Sequence, residues 1–220
     1  MCFSATASFV AGISLSAAGI LTLKSAKRKA EIPFALIPLL FGVQQIIEGM
    51  LWLSFRFDAT LLNATTSYAF SVFSHTLWPI YVPFSVVLLE PVRWRRNILF
   101  AFQFVGLGIG LYLLYFIVKY PVTAVAAEHI VYVSPHFYQI PAMFLYLAAT
   151  CIVSCFSSHR LVRVFGVLTL LFFFIAYWFY TAALFSVWCF FSAVLSSIIY
   201  LYFRSEGSSS SCKLKHSGFG

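Results

Sequence analysis

Residues 4–23 read SATASFVAGISLSAAGILTL, and KSAKRK follows at once at positions 24–29. An uncharged, apolar stretch of this length crosses a bilayer as one helix, since a span takes about 20 residues. The order of the two pieces decides what kind of span it is. A secretory leader carries its positive charge ahead of the apolar core, whereas Lys24, Lys27, Arg28 and Lys29 come after it. The stretch therefore reads as a first transmembrane helix that sends its short amino terminus across the membrane, leaving the basic end behind.

Outward from there the same alternation repeats. A second apolar run covers Ile32 to Phe55 and ends at Arg56, Asp58 and Asn63. A third runs from about Thr66 to Leu89 and stops at Glu90, Pro91, Arg93, Arg95 and Arg96. A fourth spans Ile98 to Val118, and one long connection follows from about Lys119 to Gln139, with Pro121 and Pro135. The fifth, Ile140 to Phe156, meets His159, Arg160 and Arg163; the sixth covers Val164 to about Tyr180. The seventh, about Ala183 to Phe203, stops at Arg204. The expected fold is all-α, a bundle of seven transmembrane helices forming one domain over residues 1–204, with 205–220 as a flexible tail.

Composition agrees with lipid as the surrounding solvent. The 220 residues are 62% hydrophobic and 9% charged, with a mean hydropathy of +0.95, too apolar for a soluble domain that must present a charged shell. The net charge of +8 does not imply nucleic acid, because the basic residues cluster at the ends of apolar runs instead of forming one face. Twelve of them, Lys24, Lys27, Arg28, Lys29, Arg93, Arg95, Arg96, Arg160, Arg163, Arg204, Lys213 and Lys215, fall on one side, against Arg56 and Lys119 on the other. The richer side is expected to be cytoplasmic, so the amino terminus is outside and the carboxyl terminus inside. Thr181 and Ala182 leave barely a turn between the last two runs, and a tight hairpin there is favoured because it keeps Arg163 and Arg204 on the same side.

No internal repeat appears, which argues against a duplicated transporter half. The five cysteines show no CxxC pair, and Cys151 and Cys155, on one helix face, read as small core residues. Gly106 and Gly110 form a small-xxx-small pair that admits a close neighbour, either within the bundle or in a homo-oligomer. Trp52, Trp94, Trp178 and Trp188 lie near helix ends, as interfacial aromatics do. Asn63-Ala64-Thr65 matches a glycosylation sequon but reads as the start of a helix.

Ionisable groups at membrane depth are costly and mark either a functional site or a buried structural pair. Glu48 shares one helix face with Gln44 and Gln45, about 10 Å from the outer end of the second run. His75, with Ser71 and Trp78 on its face, lies about 13 Å from the outer end of the third. Consecutive helices are usually neighbours, so an acid and an imidazole are expected at similar depth. Ser186, Trp188 and Cys189 on the seventh helix fall in the same half, and the outer connection adds Glu128-His129 and His136. Cys2 is outside as well, where loss of Met1 would set a free amine beside its thiol.

Three readings of this cluster stay open. Glu48 and His75 are a hydrogen-bonded pair fixing helix register, in a protein with a structural or interaction role. Alternatively His75, Glu48, His129 and His136 hold a divalent metal such as zinc, with hydrolytic chemistry at Glu48, His75 or Cys2. Or Gln44, Gln45, Glu48 and His75 line a transport or proton path, for which the inner halves offer little beyond Gln103. No GxSxG, P-loop or dinucleotide motif appears.

The opening Met1-Cys2-Phe3-Ser4-Ala5, Pro33-Phe34-Ala35 running into Gln44-Gln45-Ile46-Ile47-Glu48-Gly49, Leu77-Trp78-Pro79 with Leu89-Glu90-Pro91, Glu128-His129-Ile130-Val131-Tyr132 and Ser186-Val187-Trp188-Cys189-Phe190 carry a resemblance. With these, nearly the whole chain except the tail resembles an uncharacterised bacterial multi-pass membrane family. The resemblance implies a bacterial cytoplasmic (inner) membrane and a topology, and no activity. A more distant comparison is with seven-helix membrane hydrolases that include the alkaline ceramidases, whose zinc site uses a histidine pair on the last helix. The seventh run here carries Ser186 and Cys189 and no histidine, which counts against that mechanism.

Overall fold

The computed structural model describes residues 4–126, 129–132 and 139–204. Seven helices follow one another: α1 (Ala5–Ser25), α2 (Lys29–Arg56), α3 (Thr60–Leu89), α4 (Arg93–Lys119), α5 (Ile140–Cys155), α6 (Arg160–Phe179) and α7 (Leu184–Arg204). Six of them are long and apolar enough to cross a membrane, and α5 is apolar but shorter. The chain is a multi-pass integral membrane protein.

Helix ends follow local chemistry. Ser4 caps α1 by accepting the Ala7 N–H at 3.2 Å. Glu31 closes the α1–α2 turn, accepting the N–H groups of Lys27 (2.8 Å) and Arg28 (3.1 Å) and pairing with the Arg28 side chain. α3 starts at Thr60, earlier than the expected Thr66, so Asn63 stands inside the helix and does not start it. Its side-chain amide donates to Ser54 Oγ at 3.0 Å, tying α3 to α2 beside a tight link through Asp58, whose φ is +50°. α4 likewise begins at Arg93 instead of Ile98, because arginine is a good helix former and its head can extend beyond the apolar span.

α1 and α2 pack backbone to backbone. Ser8, Gly12, Leu15, Gly19 and Thr22 form the buried stripe of α1, and a β-carbon on Gly19 would stand 2.5 Å from the Leu39 nitrogen. Gly106 and Gly110 are used within the chain: they let α4 close on α3, where a β-carbon at Gly106 would meet the Pro79 carbonyl oxygen at 1.9 Å. That oxygen is free of the helical ladder because its partner one turn on is Pro83, which has no N–H.

The connection after α4 contains a β-hairpin that hydropathy does not reveal. β1 (Ala124–Ala126) pairs antiparallel with β2 (Ile130–Tyr132), Val125 opposite Val131. Ile130 and Tyr132 turn inward, and Tyr132 stacks on Phe70 of α3 at 4.3 Å between centroids. α6 and α7 are separate helices joined by a single turn, Thr181–Ala183, and lie side by side through Phe172 on Phe191 and Phe173 on Trp188. The hairpin expected there is present.

Candidate functional site

α3 is not a uniform helix. Residues Val72–Leu77 form a π segment, in which the Trp78 N–H reaches back to the Phe73 carbonyl. In that register the Ser74 carbonyl would receive the N–H of residue 79, which is proline. The Tyr146 hydroxyl of α5 donates to it instead. α5 has its own π segment, Ala148–Ile152, one residue beyond Leu147. Such wide turns re-aim side chains and recur at functional sites; here one of them carries His75.

The His75 ring is buried, with Nδ1 2.7 Å from Ser74 Oγ and its face against Phe185 of α7, 4.1 Å between centroids. The next residue on α7, Ser186, donates its hydroxyl to Glu48 Oε1. Successive residues of α7 thus meet the imidazole and the acid, bringing α2, α3 and α7 together. Glu48 and His75 are not hydrogen-bonded to each other, so the direct pair expected from their depth is replaced by separate contacts to α7. One turn further along α2, Gln44 Oε1 accepts the Trp78 indole N–H at 2.7 Å, and Trp78 stacks on Phe41 at 3.9 Å.

Gln44, Gln45 and Glu48 are all fully buried, yet several of their polar atoms have no hydrogen-bond partner: Gln44 Nε2, Gln45 Nε2 and Oε1, and Glu48 Oε2. Gln45 lies against the Glu48 carboxyl and Gln44 against the Cys189 thiol, neither in hydrogen-bonding geometry. Trp188 turns away from this group, donating to the Thr169 carbonyl at 3.0 Å. With Cys189, Trp78 and Tyr146 it borders a partly open space of about 30 Å³, room for about one water.

Among the described residues no three His, Cys, Asp or Glu side chains gather as a metal site. His129 is buried in the hairpin against Tyr180, 5.2 Å between ring centroids, and does not join Glu48 and His75 in such a group. Cys2, Glu128, His136 and the tail lie outside the described residues. The Cys155 thiol lies 3.8 Å from the Cys151 carbonyl one turn back; Cys151 is buried and Cys155 half-buried.

Residues 1–214 match a family described as a family of unknown function, DUF6629. The chain belongs to that family. No curated protein and no solved structure matches it. What this DUF6629 chain does therefore rests on the geometry above. The residues that sequence reasoning does not reach are Ser74, Tyr146 and Phe185, which contact His75 or its turn. Ser67, Ser71 and Ser74 are spaced at 4 and 3 along one helix, a signal that was present; Tyr146 and Phe185 carry none, being ordinary aromatics in apolar helices.

Proposed function

We propose that this protein binds a small polar solute at membrane depth, in the cluster of Gln44, Gln45, Glu48, His75 and Ser186. The supporting observation is the set of unpartnered buried atoms around one turn of α2. Leaving a buried polar group unmade costs about 1–3 kcal/mol, and several adjacent ones are hard to keep unless a guest satisfies them. Glu48 Oε2 and Gln45 Oε1 offer acceptors, while Gln44 Nε2 and Gln45 Nε2 offer donors. The complementary guest both donates and accepts, with a donor toward the carboxylate: a small amine, alcohol or amide, or hydrated forms of these. The cavity beside Trp78 and Cys189 accommodates a methyl-sized apolar end or one water.

The test is thermal unfolding of detergent-purified protein with methylammonium, ethanolamine, acetamide and glycerol as probes. A bound probe raises the midpoint as its concentration passes its Kd, and Gln45→Leu removes the rise while still folding. If no probe moves wild type more than it moves Gln45→Leu, the reading fails. A second reading comes from the Ser186 hydroxyl donating to Glu48, the arrangement of a nucleophile beside a carboxylate base. It predicts labelling by a fluorophosphonate that disappears in Ser186→Ala; no labelling of wild type rules it out.

We also place the carboxyl-terminal end of α7 in the cytoplasm of a bacterial inner membrane. Lys24, Lys27, Arg28, Lys29, Arg93, Arg95, Arg96, Arg160, Arg163 and Arg204 lie at the helix ends of one side and Arg56 and Lys119 at the other, which supports that orientation. The site then belongs to the extracytoplasmic half. A reporter fused after Arg204 that is active only when exported would refute this.

A further inference from the structure

Glu48 and its neighbours are fully buried, so a guest needs a way in. A surface pocket of about 380 Å³ lies at the loop between α2 and α3, bordered by Ser54, Asp58, Thr60 and Asn63, with Thr123 from the segment leading into β1. It has the size of a small-ligand cleft, and its polar lining carries a carboxylate and no lysine or arginine.

The α2–α3 seam descends from this pocket to the buried acid. The Ser54–Asn63 hydrogen bond fixes the facing of the two helices at the top, and the Gln44–Trp78 bond fixes it again deeper down. Between these ties, α3 presents Asn63, Ser67, Ser71 and Ser74 at helical spacing of 4, 4 and 3, the same face one turn after another. At about 1.5 Å per residue, Ser67 is roughly 6 Å and Ser71 roughly 12 Å below Asn63. Counted down from the Ser54–Asn63 tie, the antiparallel facing sets Ser67 level with Met50 and Ser71 level with Ile46, within one turn of Glu48.

The middle of this seam holds polar atoms that no hydrogen bond among the described residues satisfies. Ser67 is fully buried and its Oγ has no hydrogen-bond partner. One turn above Glu48 on α2, the Trp52 indole nitrogen is also buried and unpartnered. A serine normally returns its hydroxyl to its own helix, as Thr65, Thr66 and Ser74 do nearby. A hydroxyl and an indole N–H left open within a turn of each other, between a polar pocket and a polar site, are what a passing hydrated guest would use. We infer that the α2–α3 seam is the entry path of the solute bound at Glu48, running from the pocket at Asp58 and Asn63 past Ser67.

This rests on the solute-binding reading, and its test separates the two. In a background with the native cysteines replaced, Ser67→Cys is treated, in membranes open to both sides, with a small cationic methanethiosulfonate. The cysteine thiolate displaces methanesulfinate and forms a mixed disulfide, so only a thiol reached by water reacts. Thr60→Cys in the pocket serves as the exposed reference, and Ile109→Cys, buried on α4, as the sealed one. The expected result is Ser67→Cys reacting within about 100-fold of Thr60→Cys and far faster than Ile109→Cys. Ser67→Cys matching Ile109→Cys, with its thiol titrating fully after denaturation, overturns the path. Should Ser67→Cys not accumulate, Ser71→Cys gives the same two outcomes. A silent seam alongside a Gln45-dependent thermal shift would discard the path and keep the site; a reactive seam without that shift would do the reverse.

Discussion

Gly106 and Gly108 stand two residues apart on α4 and predict opposite responses to the same added methyl group. At Gly106 a β-carbon would lie 1.9 Å from the Pro79 carbonyl oxygen, with Pro83 Cγ at 3.2 Å. Ordinary contact begins near 3.4 Å, so α3 and α4 must part by about 1.5 Å, enough to forfeit more than half of the dispersion attraction at each contact opened. The obstacle is backbone and cannot swing aside. Overpacking of this kind costs about 1–3 kcal/mol, of which the better helix propensity of alanine returns about 1. At Gly108 a β-carbon meets nothing within 4 Å, so the propensity gain stands alone and Gly108→Ala stabilises by about 0.8–1 kcal/mol. The two variants should then differ by about 1–3 kcal/mol, or roughly 2–12 °C in Tm for a protein of this size. Thermal unfolding of both in the same detergent, followed by far-ultraviolet circular dichroism, measures the difference. Gly106→Ala as stable as Gly108→Ala would show that the α3–α4 contact is not this close.

Other consequences are as direct. Ser186→Ala removes the Ser186 hydrogen bond to the Glu48 carboxyl and should lower stability by about 1–3 kcal/mol, while the Ser186→Ala, Glu48→Gln double variant recovers part of it; equal losses in single and double variants would argue against the contact. Glu90, at the turn after α3, accepts from Ser158 N–H (2.7 Å), Ser158 Oγ (2.5 Å) and Val92 N–H (3.1 Å). Burial works to raise its carboxyl, but the Ser158 and Val92 bonds and the nearby His159 outweigh it and hold Glu90 below the usual carboxylate range. A carboxyl lowered on folding contributes stability that is complete above the ordinary carboxylate range and fades as pH falls through its own lower value. Wild type should therefore lose more stability than Glu90→Gln between pH 5 and pH 3, read as Tm in a detergent insensitive to acid; parallel curves would refute it. Tyr146→Phe strips the donor from the Ser74 carbonyl freed by Pro79 and should cost about 1–3 kcal/mol with the helices otherwise intact, so a neutral effect on Tm would place the hydroxyl elsewhere.

Spans were easy to read in the sequence because an apolar run bounded by Arg and Lys has one physical solution in lipid. Their ends were not, since Thr60–Asn63 and Arg93–Arg96 are as content in a helix as beyond it. The β-hairpin escaped notice because strands of three residues, Ala124–Ala126 and Ile130–Tyr132, leave no periodicity to detect. Of the site, Glu48, Gln44, Gln45 and His75 announced themselves by the cost of burying them, and Ser186 by its position on α7. Their partners did not: which atom faces the Glu48 carboxyl depends on the rotation of α7, and apolar composition says nothing of rotation. Whether metal ligands meet is equally hidden, because ligands drawn from a loop and two helices need a geometry that spacing cannot supply; among the described residues Glu48, His75 and His129 form no such group.

The π segment at Val72–Leu77 makes α3 a helix with a residue to spare. A wide turn takes up that residue within a single circuit of the axis, so Asn63 and Ser67 before it and Trp78 and Pro79 after it keep nearly the phase of a regular helix one residue shorter. Removing one residue would let α3 close to regular turns with Trp78 still toward Gln44 and Pro79 still toward Gly106, and would redraw only the turn that carries His75. Length, in this stretch, is local slack. A single deletion there would reshape the site and leave the rest of the bundle in register.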